Sequence, residues 1–130
     1  MMLWRGSRQP KTRQELGRIA EEHAARYLRA KGYRVIGRNY RAPTGEIDLI
    51  AEHEGAVVFI EVKSRSTEEV AQARDSVTLG KQRRIARTAA AWLSARGGRE
   101  RVTRFDVVEV AITPEGRVEK IEVIEGAFRA

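Results

Sequence analysis

Apolar positions recur along this chain first at a helical period and then at a strand period. Leu16, Ile19, His23, Tyr27 and Ala30 repeat at helical spacing, Ala20 and Ala24 widen the stripe, and TRQE reads as a capping box with Thr12 as N-cap and Glu15 at N3. Gly32 ends that helix. YRVIGRNY (33–40) then reads as a short strand, RAPTG (41–45) as a turn, and two strands follow at 46–52 and 56–63. Residues 64–77 read as a polar loop. A second helix is predicted from Leu79 to Ala95, with Ile85, Ala89, Trp92 and Leu93 on its apolar side and Gly97 and Gly98 as its stop. A strand at 101–112, a turn at 113–116 and a last strand at 117–125 complete the chain. The order α-β-β-β-α-β-β predicts one α/β domain over residues 12–130, a mixed central sheet flanked by helices, preceded by a flexible basic arm over residues 1–11.

The middle pair of strands carries charge where apolar residues would serve better. A tight turn at Glu54–Gly55 puts Asp48 opposite Glu61, Glu46 opposite Lys63 and Ile50 opposite Phe59. The other side of that ribbon pairs Ile47 with Val62, Leu49 with Ile60 and Ala51 with Val58, and is expected to face a core. Two carboxylates directly opposite in a ladder repel each other. Strands lie about 5 Å apart, so both can reach one point between them, and a divalent cation there reverses the sign of the interaction. Mg²⁺ or Mn²⁺ suits such oxygen ligands, with phosphate and water completing the shell. Lys63 lies two residues past Glu61 and shares its face. The plainer alternative is a solvent-facing hairpin in which Glu46 and Lys63 form a surface ion pair worth less than about 1 kcal/mol. Against it, Ile50 and Phe59 share the charged face. VVFIEV also reads as a strand buried on both sides, where an unpartnered Glu61 is costly.

Charge is distributed unevenly. The net charge is +7 over 130 residues, and the acids concentrate in 46–70, between basic segments 1–45 and 71–105. That pattern fits a polyanion-binding surface around a set of carboxylates, and equally Arg-rich solvated helix faces. With no Cys there is no disulfide, thiolate metal site or cysteine nucleophile. Two histidines, neither at ligand spacing, argue against zinc. No apolar run approaches a membrane span, and MMLWRGSRQP lacks the apolar region of a secretory signal, so a soluble cytoplasmic protein is expected.

An Asp, a gap, then Glu-x-Lys on adjacent strands after a helix resembles the PD-(D/E)xK nuclease superfamily. GEIDLIA, VFIEVKSR, RFDVVEV and the closing EGAF, spread from about Leu16 to Phe128, are more similar still to one bacterial family inside it. That is the YraN-like family, distantly related to archaeal Holliday junction resolvases. The resemblance implies a restriction-endonuclease-like core. It implies Asp48 and Glu61 as metal ligands, the backbone carbonyl of Val62 as a further one and Lys63 as the catalytic lysine. Glu21 matches the acidic residue of the first helix. Lys81 and Gln82 match a basic and polar pair opening the second helix, and Arg65 and Arg84 are expected beside them on the nucleic-acid backbone. Ala20 departs from the family, which more often has Gly there.

The expected function is therefore a Mg²⁺- or Mn²⁺-dependent endonuclease hydrolysing phosphodiester bonds in DNA, with branched and single-stranded DNA as candidate substrates. The alternative is a non-catalytic nucleic-acid-binding module of the same fold that serves a partner enzyme. RNA is a weaker candidate than DNA, and a homodimer is expected if the substrate is a junction. Among the remaining residues, His23 is expected as a satisfied core histidine and His53 as a solvated turn residue. Asp106, facing away from Phe105 and Val107, is expected to be structural and to pair with Arg104 or another Arg. Ser64 and Ser66 have no histidine base and are poor nucleophiles.

Overall fold

The computed structural model describes residues 9–66, 77–98 and 100–129. Residues 1–8 of the expected arm and 67–76 of the expected polar loop lie outside them. The elements are α1 (Arg13–Ala30), β1 (Arg34–Ala42), β2 (Gly45–His53), β3 (Ala56–Arg65), α2 (Leu79–Ala95), β4 (Thr103–Ile112) and β5 (Val118–Phe128). The five strands form one mixed sheet in the order β1-β2-β3-β4-β5, antiparallel except for the parallel pair β3–β4. Parallel neighbours need a crossover, and α2 lies in it.

Helix α1 starts where the capping box predicts: Thr12 Oγ1 accepts from the Glu15 N–H, and Glu15 accepts from the Thr12 N–H. Its buried residues are Ala20, Ala24, Ala25 and Leu28. The predicted stripe is rotated toward the alanines, leaving His23 and Tyr27 half-buried and Ala30 exposed. Small side chains let the helix lie close to the sheet, over Leu49, Ala51, Val58, Ile60, Val108 and Val110. His23 is satisfied within the helix, Nδ1 lying 2.9 Å from the Ile19 carbonyl. Helix α2 covers the opposite face, with Ile85, Ala89, Trp92 and Leu93 packed on Ile47, Ile50, Val57, Phe59, Phe105 and Val107. Strand β3 is thus covered on both faces, and Ala56 through Glu61 are all buried.

The β2–β3 hairpin keeps the predicted register from Leu49↔Ile60 to His53↔Ala56. Glu54 and Gly55 both have positive φ, 52° and 81°, which is the turn that suits the twist of a two-residue hairpin. The ladder does not continue past Leu49, and this corrects three expected pairs, Asp48–Glu61, Ile47–Val62 and Glu46–Lys63. Glu46 lies opposite Arg41 of β1, with Arg41 Nε at 3.7 Å, rather than opposite Lys63. Ile47 packs in the α2 core although Leu49 packs in the α1 core. Two positions that should share a face lie on opposite ones, so the strand changes parity at Asp48.

At the turn end of the sheet a polar cluster fills the α1 side. Asp106 is fully buried and accepts from Arg104 Nε and Nη2 at 2.9 Å, Tyr33 Oη at 2.7 Å and the Gly126 N–H at 3.0 Å. The structural role expected for it, paired with Arg104, is what is found. His53 was expected in solvent and is instead buried. It stacks on Tyr33 with ring centroids 3.9 Å apart, and Nδ1 lies 2.9 Å from Arg104 Nη2. The hairpin brings it back over β1, where Tyr33 gives it a flat apolar surface. Removing one member of a buried charge pair strands the other. Asp106→Ala is therefore expected to lose about 3 kcal/mol in urea unfolding, and a loss below about 1 kcal/mol would contradict the role assigned to this cluster.

Candidate functional site

The end of the sheet away from the hairpin turn gathers charge from four elements. Alternation along β3 puts Glu61 and Lys63 on the α2 side with Phe59. Glu61 is buried and Lys63 half-buried. Asp48 arrives differently. Where the ladder stops, Asp48 Oδ2 accepts the Val62 N–H at 2.8 Å, so a side chain takes the place of a backbone carbonyl. Asp48, Glu61, Glu46, Lys81 and Arg84 line one cavity of about 190 Å³. The second helix is fixed beside it: Thr88 Oγ1 meets Thr44 Oγ1 at 2.8 Å, and Gly45 leaves room for that contact.

The electrostatics of Asp48 are unusual. Burial raises its pKa first, the charge of Glu61 second, and Glu21 and Glu46 add to this, while the Val62 N–H opposes. The result is a carboxyl raised from an ordinary 3.8 to about 7. Glu61 has a cation against it already, Lys81 Nζ at 2.5 Å from Oε2. Lys63 makes no ion pair or hydrogen bond among the described residues.

The two acids therefore come together as expected, but by a different route. They are not opposite each other in a ladder. The end of the ladder and the Val62 contact bring Asp48 to Glu61. Val62, the residue after Glu61, supplies the N–H that Asp48 accepts. Glu21 is half-buried on α1 and accepts from Asn39 Nδ2 at 3.1 Å, within reach of the site. Arg65 lies with Arg13, Lys63 and Lys81 around an adjoining hollow of about 680 Å³. Gln82 donates to the Val77 carbonyl at 2.8 Å and so secures the entry to α2. Sequence reasoning passed over Asn39, which joins Glu21 to Glu46 by a second contact of 3.4 Å. The available signal was an Asn inside a strand, a residue type depleted there.

One group of three ligand-type residues converges among the described residues: His53, Glu54 and Glu125, with ligand atoms within 4.8 Å of one another. Its chemistry does not favour a metal. Arg104 can only donate, so its Nη2 contact makes His53 Nδ1 the acceptor and leaves the proton on Nε2. The nitrogen that would have to ligate is the protonated one. Arg104 Nη1 also lies 3.9 Å from both Glu54 and Glu125 and supplies their positive charge. At the other end of the sheet, half-buried Asp48 and buried Glu61 offer hard oxygen donors in a like-charge pair, which suits Mg²⁺ or Mn²⁺.

Residues 20–110, which include Glu21, Glu46, Asp48, Glu61, Lys63 and Lys81, match the model of the uncharacterised protein family UPF0102. The chain belongs to the UPF0102 family. Similar proteins include the UPF0102 protein of Symbiobacterium thermophilum, 45% identical over 115 residues that make up 88% of this chain and 97% of that one. The UPF0102 protein of Moorella thermoacetica is 45% identical over 117 residues, 90% of this chain and 98% of that one. The UPF0102 protein of Myxococcus xanthus is 42% identical over 123 residues, covering 93% and 94%. The family therefore spans nearly the whole fold, not the site alone. No described helix of this UPF0102 protein is long and apolar enough to cross a membrane.

A carboxyl with a folded-state pKa above its unfolded value lowers stability once pH exceeds the unfolded value. For Asp48 the loss develops as pH rises from about 4 through about 7. Asp48→Asn keeps an acceptor for the Val62 N–H and removes the charge. In metal-free protein it is expected to raise Tm by roughly 5 °C at pH 8 and by little at pH 4.5. An equal change at both pH values in thermal scans would contradict the assignment of strain to this carboxylate.

Proposed function

We propose that this protein is a divalent-cation-dependent nuclease of the PD-(D/E)xK type, hydrolysing phosphodiester bonds in DNA. The observation that carries it is half-buried Asp48 beside buried Glu61, held together against their own repulsion at a sheet end, with Lys63 two residues on. Lys81 meets Glu61 alone, so Asp48 stands beside a like charge with no cation of its own among the described residues, a place that a divalent cation would fill. Asp48, Glu61 and the Val62 carbonyl would hold Mg²⁺ or Mn²⁺, which when bound polarises the phosphate and acidifies a water. The protein's own groups do the rest. Asp48 is fixed by the Val62 N–H, so its free oxygen is pre-set toward the cavity. Lys63 donates to the non-bridging oxygens where negative charge grows as the water oxygen bonds to phosphorus and the ester oxygen leaves.

The surroundings support a polyanion. Helix α2 contains Lys81, Arg83, Arg84 and Arg87 and no acid. Arg83, Arg84 and Arg87 form no ion pair among the described residues. On β1, by contrast, Arg34, Arg38 and Arg41 are matched by Glu52, Glu22 and Glu46. Arg83, Arg84 and Arg87 thus put unmatched positive charge on α2, the helix that brings Lys81 and Arg84 to the site. Such contacts hold a backbone without reading sequence, which fits branched or single-stranded DNA. A four-way junction would call for a homodimer so that two strands are cut.

A second reading has one observation of its own. Lys81 sits on Glu61 where a cation would bind, as in a module that binds nucleic acid without cutting it. A Mg²⁺ or Mn²⁺ assay on single-stranded, duplex, flap and four-way DNA separates the two. The nuclease reading predicts product that falls at least about 100-fold in Glu61→Gln and in Lys63→Ala. Binding without product in all three proteins would favour the module. The polyanion surface has its own test. Replacing Arg83, Arg84 and Arg87 by Gln is expected to lower the slope of log K against log salt by about 2 to 3. The same change at Arg34, Arg38 and Arg41 should leave the slope nearly as it is, and the reverse ranking would move the interface to β1.

A further inference from the structure

We propose that Asn39 is the positioning residue of this site, its amide tying Glu21 of α1 to Glu46 of β2 beside Asp48 so that the acidic wall is set before a cation arrives. The proposal rests on the cation-dependent reading above.

The backbone supplies the first observation. Asn39 has φ of 48° in the interior of β1. Side-chain-bearing residues avoid that region, and Asn is among the few that enter it readily. Its neighbours stay in the ladder, Arg38 with Leu49 and Tyr40 with Ile47, whereas Asn39 and Asp48, which face each other by count, do not pair. The two strands thus leave their ladder at the same level. On β2 this is the point where the side-chain parity changes and Asp48 turns to Val62.

The side chain supplies the second. The two amide hydrogens of one NH₂ group meet two different carboxylates, Glu21 Oε1 at 3.1 Å and Glu46 Oε2 at 3.4 Å. These acids come from different elements and repel each other. A donor with no charge between them lowers that repulsion and leaves their remaining oxygens available. Lys or Arg in its place would neutralise the wall and compete with a cation. A turn requirement alone would be met better by Gly, which takes positive φ without strain. The amide is what Gly lacks.

Asn39→Gly separates the two roles, because it keeps the backbone and removes only the amide. Its Tm is expected within about 3 °C of wild type. Its Mn²⁺ affinity by calorimetry is expected to fall about 10-fold, the usual size for loss of a group that orients a ligand. Cleavage should fall at low Mn²⁺ and recover at high Mn²⁺. In a Glu21→Gln background the same substitution should weaken Mn²⁺ binding by clearly less, since one of the two carboxylates it holds is already gone. Wild-type Mn²⁺ affinity in Asn39→Gly, or an undiminished effect in the Glu21→Gln background, would overturn the positioning role and leave the nuclease reading standing. Absence of both Mn²⁺ binding and product in wild type would overturn the nuclease reading, and this inference with it.

Discussion

The hydrogen bond from the Val62 N–H to Asp48 Oδ2 is the contact on which the rest of the site depends. It is made where the β2–β3 ladder ends, and it replaces a backbone carbonyl with a carboxylate. Three consequences follow from one substitution of partner. The buried N–H of β3 stays satisfied, so the strand can run on to Lys63 without an orphaned donor. Asp48 is drawn toward the interior, where partial burial and Glu61 hold it well above the ordinary carboxylate range. And β2 is released to follow β1, which carries Glu46 to the acidic wall.

The two ends of the sheet handle buried charge in opposite ways. Around Asp106 every acid has a cation or a donor: Arg104 grips it in two places, Tyr33 and Gly126 complete its shell, and His53 stacks alongside. Such a cluster is complete, and it locks β1, the hairpin turn, β4 and β5 together. Around Asp48 the acids outnumber the cations. One backbone N–H, one Asn amide, Lys81 and Arg41 serve Asp48, Glu61, Glu21 and Glu46. The fold can sustain this deficit because β3 is buried on both faces and its hairpin register is fixed from Leu49 to the turn. A satisfied cluster stabilises; an unsatisfied one of this kind is where a ligand contributes most.

Much of this was legible in the residues. Helix α2 runs from Leu79 to Ala95, the bounds its glycines and apolar spacing predict, and the hairpin register follows from the Glu54–Gly55 turn. These features are local, set by caps, turns and period. The misses are those decided by distant partners. His53 reads as a solvated turn residue until Tyr33 and Arg104 cover it. The parity change at Asp48 cannot be read from β2 alone, because its cause is an N–H on β3. Asn39 looks like an ordinary polar residue in a strand, and only its φ and the carboxylates of α1 and β2 give it a role. In each case the local pattern was sound and a contact from elsewhere in the chain changed its meaning.

The central claim is that Asp48 and Glu61 are held apart from their preferred state until a divalent cation joins them. The most direct test is an anomalous difference map from crystals grown with Mn²⁺. The account predicts one strong peak between Asp48 and Glu61, with Lys81 withdrawn from the Glu61 carboxylate. A map with no peak there, Lys81 still on Glu61, or density only beside His53, Glu54 and Glu125, would contradict it.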